Sequence, residues 1–80
     1  MEASMNTANV TIVIEARAIR LALPIGDDPI NTNTWIRRYI RNIVRNMLTL
    51  SLRTYATVHI TYPDFSSDHL IIRENTQEIL

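Results

Sequence analysis

Arginine is the residue type in this sequence whose spacing most clearly indicates binding chemistry. Residues 32–47 read TNTWIRRYIRNIVRNM, a segment without any acidic residue. On a helix, positions i, i+4 and i+8 form one ridge about 12 Å long. Arg37, Arg41 and Arg45 have this spacing, and Arg38 flanks them. Their planar guanidinium groups are donors that suit phosphate or carboxylate oxygens.

The arginine ridge predicts an anionic partner. Like charges four residues apart destabilise a helix by a few tenths of a kcal/mol per pair, and no glutamate compensates for them here. Nucleic-acid phosphates would satisfy the ridge in a salt-sensitive, sequence-independent manner. We therefore expect nucleic-acid binding through five arginines: Arg37, Arg38, Arg41, Arg45 and Arg53.

Three other interpretations of the same arginines remain open. They can form a solvated face that pairs within the chain with Asp27, Asp28 or the acidic tail, or they can meet an acidic partner protein. A third is an anionic membrane surface, because Trp35 and Tyr39 beside arginines are typical of an interfacial helix. We do not expect membrane binding, since so small a domain needs the apolar side of this helix for its core.

No other group of residues indicates catalysis, a metal or a cofactor. His59 and His69 flank a loop with Asp64 and Asp68, but we expect the two histidines to be several residues out of register, with too few ligands for zinc. Residues 66–69, SSDH, contain the letters of a hydrolase triad in consecutive positions. Neighbouring strand residues point to opposite faces, so they do not form the relay of a triad. We expect a protein that is not an enzyme.

Three aromatic residues near the predicted strand ends have two possible roles. Tyr55, Tyr62 and Phe65 could offer stacking platforms for unpaired bases. The interpretation we favour is that they pack the strand ends and the hairpin.

Charge and composition also point to a small binding protein. The formal net charge is zero, yet residues 29–63 carry five arginines and no carboxylate. All eight basic residues are arginine, and the chain has one glycine. A viral accessory protein from a compact genome fits this composition, and so does codon bias alone. No run approaches the roughly 20 apolar residues of a membrane span, and the N-terminus does not resemble a secretory signal, so we expect an intracellular protein, cytoplasmic or nuclear.

The arginine ridge requires a helix, which hydrophobic periodicity predicts from about Trp35 to Leu50 or Arg53. Residues 24–34 precede it as a loop, with two prolines and the single glycine. Ile36 begins an apolar stripe with helical spacing. Its other members are Ile40, Ile43, Met47 and Leu50, widened by Trp35, Tyr39, Val44 and Leu48.

Strands are predicted on both sides of this helix. Residues 55–62 and 69–73 alternate as strands, with a hairpin loop between them. From Val10 the even positions are apolar, and after Ala18 the odd positions are, without a Gly or Asn turn signal. This phase change favours one long strand with a bulge, and the competing interpretation is a short helix over residues 15–23.

These elements predict an α+β fold with the order β-α-β-β. One amphipathic helix packs on a three-stranded antiparallel sheet, in a single domain over residues 1–80 with a flexible lead-in at 1–8 and a tail at 75–80. The second sheet face has no cover, and either Leu70 or Ile71 must lie on it. A chain of 80 residues without cysteine builds a marginal core. We therefore expect a homodimer, joined through the open sheet face or an edge strand, in which the sheet itself is the interaction surface if the arginines are merely solvated.

Overall fold

The computed structural model describes residues 7–24 and 32–74. The described elements are β1 (Thr7–Ile14), β2 (Arg17–Pro24), α1 (Thr32–Ser51), β3 (Tyr55–Thr61) and β4 (Ser67–Arg73). They form a small α+β fold in which one helix packs on an antiparallel sheet with the strand order β2-β1-β3-β4. Most of the lead-in, much of the loop before the helix and the tail, at residues 1–6, 25–31 and 75–80, lie outside the described residues.

The first hairpin corrects the prediction of a three-stranded sheet. Residues 7–24 form two antiparallel strands, neither one bulged strand nor a helix over 15–23. Glu15 and Ala16 make the turn, with a φ of 58° at Glu15 only, as in a type II′ turn. Ile12 pairs with Ile19 across the two-residue loop. Even-numbered residues of β1 are therefore paired with odd-numbered residues of β2 on the same sheet face. This pairing explains why the apolar positions change from even to odd in the sequence.

The second hairpin confirms the two predicted strands after the helix. β3 places Ala56, Val58 and Ile60 on the helix side, and β4 begins two residues earlier than predicted, at Ser67. Residues 63–65 form the loop, closed by a hydrogen bond from the Tyr62 amide to the Ser66 carbonyl at 2.8 Å. Phe65 has a φ of 71°, the left-handed conformation that follows a type I turn in three-residue hairpin loops.

The helix is confirmed, but its buried side is rotated from the predicted stripe. It begins at Thr32, three residues earlier than expected. Leu52 has a φ of 58°, and the Arg53 amide donates to the Leu48 carbonyl at 3.0 Å, so the helix ends in a Schellman motif. The residues buried completely are Ile36, Ile40, Val44 and Leu48.

The predicted stripe was partly wrong because it followed the heptad-like positions rather than every fourth residue. Ile43 and Met47 are only half-buried, and Leu50 is 85% exposed. Trp35 and Tyr39 are also exposed and stack on each other with ring centroids 5.2 Å apart. The apolar side of the helix is therefore wider than the sheet surface that covers it.

The core lies between α1 and the helix side of the sheet, and it is not centred on the sheet. α1 contacts β3 and β4, and the inward residues of β3, with Ala8, Val10 and Ile12 of β1, are buried. The inward residues of β2, Ile19, Leu21 and Leu23, pack at the edge of this core and stay half-buried. The helix therefore leaves β2, an edge strand, partly uncovered.

The other sheet face has no covering element among the described residues. Of the two residues expected to compete for this face, Ile71 lies on it and is 63% exposed, while Leu70 packs against the core. Most of the remaining residues of this open face are polar, and its other apolar residues are Val13, Ala18, Ala22 and Pro24. The polar ones are Thr7, Asn9, Thr11, Arg20, Tyr55, Thr57, His59, Thr61, Ser67, His69 and Arg73.

Candidate nucleic-acid interface on the helix

The arginine ridge lies directly beside the buried line of the helix. Arg37, Arg41 and Arg45 each follow a buried residue of that line by one position, which is a rotation of about 100° around the axis. Arg37 and Arg45 are half-buried as a result, and Arg41 is exposed. Arg38 is a further 100° away and exposed. The ridge therefore runs along the margin of the helix, and Arg38 extends it onto the outer face.

Arg37 is held by the second hairpin. Its guanidinium donates to Asp68 Oδ2 at 2.7 Å and to the Tyr62 hydroxyl at 3.3 Å. The Tyr62 hydroxyl donates to the same carboxylate oxygen at 2.6 Å. These three side chains form a closed network, which we call the Arg37 network. The sequence had suggested pairing of the arginines within the chain, and the structure shows Asp68 as the partner of Arg37.

The network shifts the pKa values of all three groups. The Tyr62 hydroxyl and the Arg37 guanidinium, by donating to Asp68, lower the pKa of its carboxyl. Burial, and then the hydrogen bond to Asp68, raise the pKa of Tyr62. The hydrogen bond to Asp68, followed by that to Tyr62, raises the pKa of Arg37. Each shift favours the charged carboxylate, the neutral phenol and the charged guanidinium, so the network is most stable in this form.

A second polar cluster joins the start of the helix to the same hairpin. The Asp64 carboxylate accepts hydrogen bonds from the Ser66 amide at 3.0 Å and from its hydroxyl at 2.6 Å. The Asn33 amide donates to Asp64 at 3.5 Å and to Ser66 at 3.4 Å. The bonds from Ser66 lower the pKa of Asp64. This cluster fixes the N-terminal turn of the helix relative to the hairpin loop.

The remaining arginines of the helix lack such partners among residues 7–24 and 32–74. Arg38, Arg41 and Arg45 make no ion pair with a carboxylate of those residues. The Nε atom of Arg45 is buried and has no hydrogen-bond partner there. Arg53 differs, because it pairs with Glu15 of the first hairpin at 2.6 Å, and both side chains are about half exposed. Within residues 7–24 and 32–74, two of the five predicted binding arginines are therefore paired with a carboxylate and three are not.

The histidines are closer together than the sequence suggested. His59 and His69 occupy directly opposite positions of β3 and β4, so the expectation of a register offset was wrong. Their rings stack with centroids 4.2 Å apart on the open sheet face. The offset was expected because the hairpin was assigned a longer loop than the three residues that it has.

Two kinds of feature are absent from the described part of the chain. It contains no group of three or more His, Cys, Asp or Glu side chains that could hold a metal ion. No helix within it combines the length and the apolar character needed to cross a membrane.

Comparisons of the chain with known protein families, with curated proteins and with solved structures found no match.

Proposed function

We propose that this chain is a small, non-enzymatic binding protein that contacts nucleic-acid phosphates through one face of its helix. Arg38, Arg41 and Arg45 supply the binding contacts, and Arg37 and Arg53 flank them. Such a protein acts inside the cell, in the cytoplasm or nucleus, and its arginine-only basic composition fits a viral accessory protein.

One observation carries the proposal: three arginines within eight residues of one helix have no ion-pair partner among the described residues. Clustered guanidinium groups of like charge repel each other, and a phosphodiester backbone removes that repulsion while releasing counterions. Arg37 contributes in a different way. Its charge is already paired with Asp68, so its main role is to fix the helix on the sheet.

The test is a fluorescence-anisotropy titration with labelled single- and double-stranded RNA and DNA at two salt concentrations. Each phosphate contact adds about 0.7–0.9 to the slope of log affinity against log salt. We expect the triple variant Arg38→Gln, Arg41→Gln, Arg45→Gln to reduce this slope by about 2–3. Binding at low salt should weaken in the same variant.

A single substitution elsewhere provides the matched control. Arg17 lies on β2 and is exposed, so Arg17→Gln removes the same charge as Arg41→Gln without touching the helix. If the two single variants lose equal affinity, the binding reflects only the total charge of the protein. If no probe binds at any salt concentration, the helix is not a phosphate site.

A second candidate function is self-association through the β2 edge, which would make the chain a homodimer or a protein-interaction module. Leu21 is the central member of the half-buried apolar row on β2, and no described strand pairs with the outer edge of β2. An unpaired edge beside uncovered apolar side chains is a template for pairing with another chain. The open sheet face suits this role less well, because two copies stacked there would bring arginines and histidines together.

Analytical ultracentrifugation over a range of concentrations tests this second candidate. We expect a dimer that Leu21→Lys dissociates, because a lysine in the half-buried row would be buried by the partner chain. Ile71→Lys on the open face is the control and should leave the dimer intact. A wild-type protein that is monomeric at micromolar concentration would contradict the candidate.

A further inference from the structure

The open sheet face carries a row of polar and aromatic side chains that is separate from the arginines of the helix. The register places Arg20, Thr11, His59 and His69 side by side in one row across the four strands. Strands lie about 4.8 Å apart, so this row crosses the sheet from one edge strand to the other.

Three exposed aromatic rings lie on the β3–β4 side of this face. The stacked rings of His59 and His69 are exposed. Tyr55 lies further along β3, on the same face as His59, and is 54% exposed. Arg73 is opposite Tyr55 on β4. Stacked or exposed rings without a covering layer offer π-faces to a planar ligand.

The charge of the open face has one sign. Arg20 and Arg73 are its charged residues, and none of its described positions is Asp or Glu. These two arginines stand on opposite edge strands, about 20 Å apart along the diagonal by strand spacing and residue rise. The rings of His59, His69 and Tyr55 lie on the β3–β4 side of the sheet, with Tyr55 next to Arg73. The face therefore presents one cation in the middle of β2, one at the end of β4, and aromatic rings on the β3–β4 side.

We propose that the open sheet face binds single-stranded nucleic acid, with a base stacked on the His59–His69 pair and phosphates contacted by Arg20 and Arg73. A single strand supplies both planar bases and phosphates, which match the rings and the guanidinium groups. A duplex keeps its bases stacked on one another, so it cannot use the aromatic surface. This site is on the side of the sheet opposite to the helix, and it does not depend on the arginines of α1.

The polar character of the face argues against a second copy as the occupant. Thr11, Thr57 and Thr61 lie beside the rings, and Ile71 is the one large apolar residue next to them, whereas homodimer interfaces are more apolar than this. Like charges would also face each other in a symmetric contact, so a polyanion is the better complement.

The experiment uses the full chain and 12-nucleotide labelled probes, as single-stranded RNA, single-stranded DNA and duplex DNA. We expect the single strands to bind more tightly than the duplex. His59→Ala with His69→Ala should weaken single-strand binding about tenfold, the usual scale of one lost base stack. His59→Phe with His69→Phe keeps two aromatic rings at these positions and should retain the affinity.

The control is Thr57→Ala with Thr61→Ala, which changes the same strand and face without removing a ring. We expect it to bind within about twofold of the wild type, because stacking and charge are unchanged. All substituted residues lie on the open side of the sheet, away from the buried core, and thermal unfolding followed by circular dichroism verifies that each variant is folded.

Three results would overturn the inference. The alanine pair could bind single strands like the wild type, the phenylalanine pair could lose as much affinity as the alanine pair, or the alanine pair could lose as much affinity for the duplex as for the single strands. The helix variant Arg38→Gln, Arg41→Gln, Arg45→Gln separates this site from the helix site. If that variant loses binding and the histidine pairs do not, the helix proposal stands and this one fails, and the reverse result has the reverse meaning.

Discussion

The two hairpins of this small protein differ in how extensively they contact the helix. The β3–β4 hairpin is tied to α1 by the Arg37 network and by the Asn33 contacts to Asp64 and Ser66, and its inward residues pack under the helix. The β1–β2 hairpin is tied by the exposed ion pair between Glu15 and Arg53, and its outer strand keeps a half-buried apolar row. Among the described residues, the helix covers one hairpin and leaves the outer strand of the other partly uncovered.

The difference follows from the dimensions of the elements. A helix with its side chains is about 10–12 Å wide, whereas the outer strands of a four-stranded sheet are about 14 Å apart before side chains are added. One helix cannot cover all four strands. The polar contacts near the β3–β4 loop attach the helix to that side of the sheet, and no described strand pairs with the outer edge of β2.

The largest expected difference between the hairpins is in how much stability the protein loses when an inward side chain is truncated to alanine. Ile60 is completely buried, so Ile60→Ala should lower the free energy of unfolding by about 2–5 kcal/mol. Leu21 is half-buried, and Leu21→Ala should cost only about 1 kcal/mol. Urea denaturation followed by circular dichroism measures both.

An equal loss of unfolding free energy in Ile60→Ala and Leu21→Ala would contradict this expected difference. Such a result would mean that something covers β2 in solution. Repeating the denaturation at several protein concentrations would then identify the cover, because only a second copy makes stability depend on concentration.

Part of this comparison was visible in the sequence. The helix, β3 and β4 were predicted because their apolar residues follow regular periods, and the arginine ridge was predicted because helical spacing alone defines it. The first hairpin was missed because Glu15 and Ala16 carry no turn signature, although the switch from even to odd apolar positions is what a two-residue loop produces. The sequence therefore indicated the additional strand through the change from even to odd apolar positions, and not through the residues of the turn.

The pairing of Arg37 required information that local patterns do not contain. Asp68 was visible as an acidic residue beside a loop, but its contact with the helix depends on the length of that loop and on where the helix lies over the sheet. The stacked histidines depend on the same loop length, since a shift of one residue in register would separate them. Site geometry was thus set by tertiary packing, which periodicity does not specify.

The Tyr62 hydroxyl contacts both other members of the Arg37 network. Tyr62→Phe removes one hydrogen bond to Asp68 and one from Arg37 and should lower the free energy of unfolding by about 1 kcal/mol. The raised pKa of Tyr62 means that the folded protein holds this proton more tightly than the unfolded chain does. Its contribution is therefore fully present below about pH 10 and is lost as the pH rises above it.

Urea denaturation at pH 8 and pH 11 tests this prediction. The wild type should lose more stability between the two values than Tyr62→Phe does. An identical loss in both proteins would show that the Tyr62 hydroxyl is not held by the network. Tyr55→Phe on the open face is the matched control and should leave the stability at pH 8 unchanged.

Acid should also weaken the Arg37 network, because it protonates the Asp68 carboxylate. The lowered pKa of Asp68 means that the folded protein binds fewer protons than the unfolded chain near this group. Its stabilising effect is present above about pH 4 and is lost as the pH falls below it. We expect Asp68→Asn to be less stable than the wild type at pH 7 and to show a weaker loss between pH 5 and pH 2.

Thermal unfolding at these pH values measures the effect, which a parallel pH dependence in the two proteins would contradict. Asp64 provides a useful comparison, because its pKa is also lowered, by hydrogen bonds from Ser66. Asp64→Asn should weaken the same acid dependence without involving Arg37. The double variant Asp64→Asn, Asp68→Asn should show the weakest acid dependence of the series.

The smallest expected effects lie in the two hairpin turns, each of which contains a residue with positive φ that is not glycine. Phe65 is 89% exposed, so Phe65→Gly relieves backbone strain without removing buried surface and should raise the free energy of unfolding by about 0.5 kcal/mol. Glu15→Gly relieves similar strain but also removes the ion pair with Arg53, so its gain should be smaller. If Glu15→Gly instead destabilises the protein more than the loss of an exposed ion pair allows, the contact with Arg53 holds the open hairpin to the helix more firmly than its exposure indicates.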